Sequence, residues 1–304
     1  MRHGVIVVDK PAGLTSAGIV ARVRRAMKHV GVKKIGHTGT LDPIATGVLP
    51  LVLGEATKLA GHLLADEKSY EATLELGVET DTLDSTGAVT ARAEVNVTRA
   101  QLETAMRAFV GAIEQVPPMY SAIKHQGRSL HELAREGAEI DRAPRTITIH
   151  RLELISFEGA RATIAIDCTK GTYVRVLIAD LGRALGCGAH MTALRRTRSG
   201  PFTLADALPL AELERDPRAA VARVLSPARA LGLPSFAVAE PDVLRVLNGI
   251  VPPDLAAKLP ESQLVQLVTP AGELLALTTG PRLVRVFTYG LTEDPRSSKV
   301  PART

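Results

Sequence analysis

The sequence predicts an α+β fold: a mixed, largely antiparallel central sheet with flanking helices, followed by a small C-terminal β module. Three observations carry this. Residues 68–77 alternate, with Tyr70, Ala72, Leu74 and Leu76 on one face, the period-two pattern of a half-buried strand. Residues 145–157 and 160–168 alternate in the same way and sit close enough to form a hairpin. Between such stretches, apolar residues recur at helical spacing, as in Ile19, Val20, Val23 and Met27 or Val174, Leu177, Leu181 and Leu185.

Taken in order, residues 5–8 are a β-branched run that enters a turn at Asp9-Lys10-Pro11-Ala12-Gly13. Thr15 or Ser16 then caps a helix expected to reach about Val30. A second helix is expected at roughly 55–65. A polar turn at 80–87 leads to a strand at 88–94. Thr98 and Gln101 form a capping box ahead of a helix carrying Leu102, Met106 and Phe109. Residues 116–124 read as an irregular loop. Ser129 and Glu132 cap another helix, which Gly137 stops. The helix opening near Val174 closes at Gly186. Residues 207–230 read as short connecting helices. A helix at about 240–247 and strands at 264–268, 274–277 and 283–287 complete the C-terminal module, and the polar tail from 292 is expected to be disordered. The domain division is therefore 1–230, 231–291 and a tail at 292–304.

Composition bounds the function. The chain has 304 residues, 45% hydrophobic, enough for a buried core and about two domains. Its net charge of +5 favours a polyanionic partner. Aromatics make up 3% with no Trp, too few for a platform stacking several single-stranded bases. The two cysteines, Cys168 and Cys187, form no CxxC and fit a reducing compartment. No signal-peptide pattern and no run of membrane-spanning length stand in the sequence, so a cytoplasmic protein without membrane contact is expected. The eight histidines are scattered, so no metal site is expected. Residues 31–38 come near a phosphate-binding GxxxxGK[ST] loop, but His37 stands where the lysine belongs and a helix precedes the glycine. Nucleotide binding is excluded on that ground.

One stretch concentrates chemistry: Gly36-His37-Thr38-Gly39-Thr40-Leu41-Asp42-Pro43-Ile44-Ala45-Thr46-Gly47-Val48-Leu49-Pro50. Glycines and prolines weaken a strand assignment, and Pro43 biases Asp42 toward extended backbone. The stretch reads as a loop of fixed shape that delivers Asp42 and His37 to a surface. It resembles the catalytic motif of the TruB-type tRNA pseudouridine-55 synthases. Lys10-Pro11 through Thr15-Ser16, Lys68-x-Tyr70-Glu71-Ala72, Thr80-Asp81-Thr82-x-Asp84, Gly171-Thr172-Tyr173-Val174-Arg175 and Leu194-Arg195-Arg196-Thr197 resemble further motifs of that family. Ala17 departs from the larger polar residue common there.

The resemblance implies the pseudouridine synthase fold with a truncated PUA-like RNA-binding module. It implies isomerisation of uridine to pseudouridine at position 55, in the T-loop of tRNA, by a cofactor-free, single-chain (monomer) enzyme. Asp42 would be the catalytic carboxylate, acting as a nucleophile on ribose or uracil or as the base that removes a ribose proton. Arg175 would hold Asp42 ionised, and Tyr70 would stack on uracil and handle the C5 proton. His37 would fill the stack that the flipped base leaves, Tyr173 and Leu194 would line the base pocket, and Lys10 would brace the loop. Arg195, Arg196 and Arg198, with Arg22, Arg25, Lys33 and Lys34, would contact phosphates. Two other classes stand beside this one. A non-catalytic RNA binder has no need of Asp42 in such a loop. A hydrolytic glycosidase needs a second carboxylate, for which Asp81 and Asp84 are the candidates.

Overall fold

The computed structural model describes residues 3–63, 67–121 and 123–287. The expected tail at 292–304 lies outside them. At the centre is a ten-stranded sheet. Along its main path run Leu208–Pro209, Gly4–Lys10, Thr46–Leu53, Ala189–Ser199, Glu67–Leu76, Arg161–Thr169, Arg145–Glu158 and Gly111–Gln115, with Ile35–His37 and Phe202–Thr203 paired at the side. Two pairings are parallel, Gly4–Lys10 with Leu208–Pro209 and Thr46–Leu53 with Ala189–Ser199. The others are antiparallel, so the sheet is mixed and largely antiparallel as the sequence predicts.

Helices Ser16–Met27, Arg99–Arg107 and Val174–Ala184 close one core over this sheet. Ile19, Val23, Met27, Leu102, Met106, Leu177 and Leu181 meet Ile6, Val8, Leu49, Leu51, Leu74 and Ile164 there. Because successive side chains point to opposite faces, Val5, Val7, Val48 and Val52 leave this core and form another on the reverse face. That core is completed from the C-terminal sheet Ser235–Ala237, Leu264–Val268, Leu274–Thr279 and Arg282–Val286, through Val268, Leu274 and Leu277, with Phe287 beyond it. Burial on both faces explains why 5–8 is a continuous apolar run rather than an alternating one. One hydrophobic core thus crosses the expected boundary near residue 230, and Gln266 Nε2 reinforces it by donating to the Ala228 and Leu233 carbonyls.

Several elements differ from expectation. Ala189–Ser199 is the strand joining the two halves of the sheet, yet His190, Arg195, Arg196 and Arg198 hide it from any hydrophobic-pattern reading. Thr46–Leu53 begins inside the stretch read as a loop, and His37 sits at the end of a short strand. Pro50 is tolerated there because pairing to Gly4–Lys10 continues past it, while Ala189–Ser199 pairs only with Thr46 and Gly47. The helix expected at 55–65 is a short 3₁₀ segment, Gly54–Leu59. The helix expected to reach Val30 ends at Met27 and tightens into a 3₁₀ turn, Lys28–Val30. The strand Ser235–Ala237 had no counterpart in the sequence reading.

Gly47 shows how closely the strands approach. Its φ is +99°, and a Cβ built on it would lie 2.2 Å from the Arg196 carbonyl oxygen. Gly47→Ala is therefore expected to destabilise the protein by roughly 2–4 kcal/mol, through both left-handed strain and a backbone clash. Equilibrium urea unfolding of the pair checks this.

Candidate active site

The loop between Ile35–His37 and Thr46–Leu53 carries Asp42, and four neighbours clamp its backbone. Ser16 Oγ accepts from the Leu41 N–H at 2.8 Å and donates to the Leu41 carbonyl at 3.1 Å. Lys10 Nζ donates to the carbonyls of Pro43 at 3.1 Å and Ala45 at 2.5 Å. The Gly13 N–H donates to Pro43 at 2.8 Å. Arg196 donates through Nε to the Val48 carbonyl at 2.7 Å and through its terminal nitrogens to Thr40 and Gly39, both at 3.3 Å. Lys10 and Arg196 are wholly buried. Burial pulls the Lys10 ammonium down to about 8, with Asp42 opposing that shift.

Opposite the loop, Arg175 enters from the first turn of Val174–Ala184. Its side chain is 5% exposed, with Nη2 at 3.5 Å from Asp42 Oδ2 and Nη1 at 3.9 Å from Asp84 Oδ2. Nη2 also donates to the Tyr120 carbonyl at 2.5 Å, and the guanidinium lies 5.8 Å from the centroid of the Tyr173 ring. Burial pushes the Asp42 carboxyl above the usual aspartate range, Arg175 pulls it down, and Asp84 pushes it further up. The arrangement is thus one cation between two carboxylates, with Asp42 the more exposed of the two.

Asp42 lines two adjoining cavities. One, of about 460 Å³, is also lined by Tyr70, Tyr173, Leu194 and Lys68. The other, of about 390 Å³, is lined by His37, Asp84, Tyr120 and Arg175. Tyr70 is 8% exposed on the inner face of Glu67–Leu76, and burial raises its phenol above the ordinary tyrosine value against the pull of Arg196. Leu194 stands opposite Ala72, two residues along the strand from Tyr70 and so on the same face. Tyr173 is held through its backbone: its N–H donates to Gln115 Oε1 at 2.8 Å, and Gln115 Nε2 donates to its carbonyl at 3.2 Å. His37 faces the second cavity, and burial lowers its imidazole so that the neutral ring is favoured.

The candidate residues thus divide. Asp42, Tyr70, Arg175, Tyr173, Leu194 and His37 come together around the two cavities. Arg196 does not: it is wholly buried and spends its nitrogens on carbonyls, so the expected phosphate contact is corrected to a contact inside the protein. Arg195 pairs with Asp9 at 2.8 Å and keeps 41% side-chain exposure. Arg22 is paired with Glu214, and Arg198 donates to Ser69 Oγ. Arg25, Lys33 and Lys34 are exposed. Sequence reasoning missed Gln115 as a clamp, and it did not place Asp84 beside Arg175. The threonines flanking Asp84 were the available signal for its turn: Asp84 Oδ1 accepts from Thr82 Oγ1, the Thr86 N–H and Thr86 Oγ1. Asp81 Oδ1 accepts the Ala88 N–H. Both carboxylates offered to a glycosidase reading are thus occupied in holding their turn.

This architecture has solved counterparts. The structure titled "Crystal Structure of a Cbf5-Nop10-Gar1 Complex" superposes with a TM-score of 0.71 at 29% identity, covering 94% of this chain and 84% of that one. "Structure of H/ACA RNP bound to a substrate RNA containing 2'-deoxyuridine" superposes at 0.68 with 27% identity, covering 93% and 84%. The fold is that of the pseudouridine synthases. A family model described as TruB family pseudouridylate synthase (N terminal domain) matches residues 25–174, and one described as tRNA pseudouridylate synthase B C-terminal domain matches residues 175–231. A protein of Aromatoleum aromaticum named tRNA pseudouridine synthase B is 54% identical over 75% of this chain and 73% of its own length. One of Dechloromonas aromatica with the same name is 46% identical over 84% and 86%. The chain belongs to the TruB family of pseudouridylate synthases, and it is an isomerase.

Proposed function

We propose that this enzyme converts uridine to pseudouridine at position 55 in the T-loop of tRNA, with Asp42 as its catalytic carboxylate. The observation that carries the reading is Asp42 itself: it stands on a clamped loop, 3.5 Å from a buried Arg175, at the junction of two cavities, one of which holds Tyr70. The names of the similar proteins support tRNA as the substrate.

In this reading the target uridine flips out of its stack, at a cost of a few kcal/mol, into the cavity between Tyr70, Tyr173 and Leu194. The N1–C1′ bond breaks, the uracil turns, and a C5–C1′ bond forms. The C5 proton then leaves and N1 gains one, so the change is an isomerisation without cofactor. Asp42 acts at the ribose–uracil bond and Arg175 favours its charged form. Tyr70 stacks on the ring and accepts the C5 proton. His37, favoured as a neutral ring, takes the place the base has left. Arg25, Lys33, Lys34 and the half-exposed Arg195 attract phosphates, which give affinity and salt dependence rather than base choice. The C-terminal sheet serves as a PUA-like module for the T-arm. The enzyme works as a monomer in the cytoplasm.

The test is release of tritium from C5 of uridine in an unmodified tRNA transcript, followed by mapping of the product nucleotide. Release with pseudouridine at position 55 is expected. Pseudouridine elsewhere would overturn the site assignment, and no release would overturn the substrate. The pH dependence has a definite sign. Burial raises Asp42, so its inactive protonated form persists to higher pH than for an ordinary aspartate near ~3.9. Single-turnover rates at saturating tRNA should fall as pH drops through a midpoint above that value.

A further inference from the structure

Arg196 is a fully buried cation whose role is not exhausted by the clamping of a loop. Its guanidinium is 0% exposed, and among the described residues no carboxylate lies within ion-pair distance of it. Carbonyl dipoles at Val48, Thr40 and Gly39 answer its charge. An arginine buried without a counter-ion is costly, and an apolar residue of similar length would fill the space at less cost. Retention of the charge marks a candidate functional position.

Its neighbour across the sheet is Tyr70. The two residues are direct partners in the antiparallel pairing of Ala189–Ser199 with Glu67–Leu76, which sets their side chains on one face with Cβ atoms about 4.5–5.5 Å apart. The same guanidinium therefore reaches the Asp42 loop on one side and the tyrosine hydroxyl on the other. Its influence on Tyr70 is the largest that opposes burial.

We propose that Arg196 is a positioning residue of the isomerisation: it ties the loop bearing Asp42 to the strand bearing Tyr70 and presents its positive charge to the tyrosine hydroxyl. This rests on the reading of Tyr70 given above. In the step concerned, Tyr70 has released its hydroxyl proton to water, and its oxygen takes the proton from C5. The C5–H electron pair returns to the ring as the C5–C6 double bond. The anionic oxygen that must exist before that transfer is formed inside a buried site, and the Arg196 charge favours it.

The experiment compares wild type, Arg196→Met and Arg196→Lys for thermal unfolding, for tRNA affinity, and for single-turnover C5 tritium release against pH. Met keeps bulk and removes charge; Lys keeps charge and loses the three-way hydrogen bonding. The expected result is tRNA affinity within about threefold for both, and a rate lowered by about 100-fold or more in Met. The alkaline rise of the rate should move to higher pH in Met and stay near the wild-type position in Lys. A loss of affinity with an unchanged saturated rate would make Arg196 an RNA contact and overturn the inference. So would a slower rate in Met whose pH profile does not move, which is what a merely structural clamp gives. Should Met fail to fold, Arg196→Gln combined with Tyr70→Phe decides: a loss smaller than the product of the single losses supports the coupling, and multiplicative losses overturn it. Failure of the wild type to release tritium would instead strike the proposed function itself.

Discussion

Asp42→Asn is expected to lower the single-turnover rate of pseudouridine formation by about 10⁴-fold or more while leaving tRNA affinity nearly unchanged. The amide matches the carboxylate in shape but can neither attack nor take a proton, and a group acting in the transition state is worth roughly 10²–10⁴-fold even as a simple acid or base. Stability should not suffer. The fold holds the Asp42 carboxyl above its ordinary range, which means that ionised Asp42 is disfavoured in the folded state relative to the unfolded one. A neutral residue removes that penalty at neutral pH, while Arg175 keeps Asp84 as a partner at 3.9 Å. The melting temperature should therefore stay level or rise, the usual relation between a strained functional group and stability. A variant with wild-type rate would show that the reaction does not use this carboxylate.

Arg175→Met is expected to damage both rate and fold. It leaves Asp42 and Asp84 facing each other without the cation between them, and removal of one partner from a buried ion pair costs about 3–5 kcal/mol. The loss has a pH signature. Asp42, already held above its ordinary range, would move further up, so the destabilisation is small below the unfolded pKa, grows as pH rises from there to the folded one, and levels off above it. Urea unfolding at a series of pH values reads this directly. Asp84→Asn added to Arg175→Met should recover part of the stability, since one of the two opposed charges is gone, and none of the rate, since Asp42 still lacks its partner. Equal destabilisation at all pH values would mean that packing rather than charge sets the role of Arg175.

The loop carrying Asp42 was legible because its residues are local. Asp42, His37 and their glycines stand within a few residues of one another, and a matching motif names them together. The alternating strands Glu67–Leu76, Arg145–Glu158 and Arg161–Thr169 and the capped helices Arg99–Arg107 and Leu130–Arg135 were legible for the same reason: period and capping are properties of short stretches. Ala189–Ser199 was not. Its arginines belong to a polar site built into the sheet, so the pattern that marks a strand is absent where the strand matters most. For Arg196 the sequence offers only a basic cluster, whose ordinary meaning is a solvated surface, and the opposite fate follows from register with Tyr70 and Gly47.

By itself, then, the amino-acid sequence determined many of the local elements and the family motifs and pointed to Asp42, all of which are written in residues near one another along the chain. The family motifs had already pointed to Arg175 as the partner of that carboxylate and to Lys10 as a brace of its loop; only the tertiary structure set Asp84 beside Arg175 and turned Arg196 inward to the loop. Arg175, Asp84, Ser16, Lys10 and Arg196 reach the site from separate elements, and what each does there depends on distance and burial. Those arise when the sheet closes, and no interval of sequence encodes them.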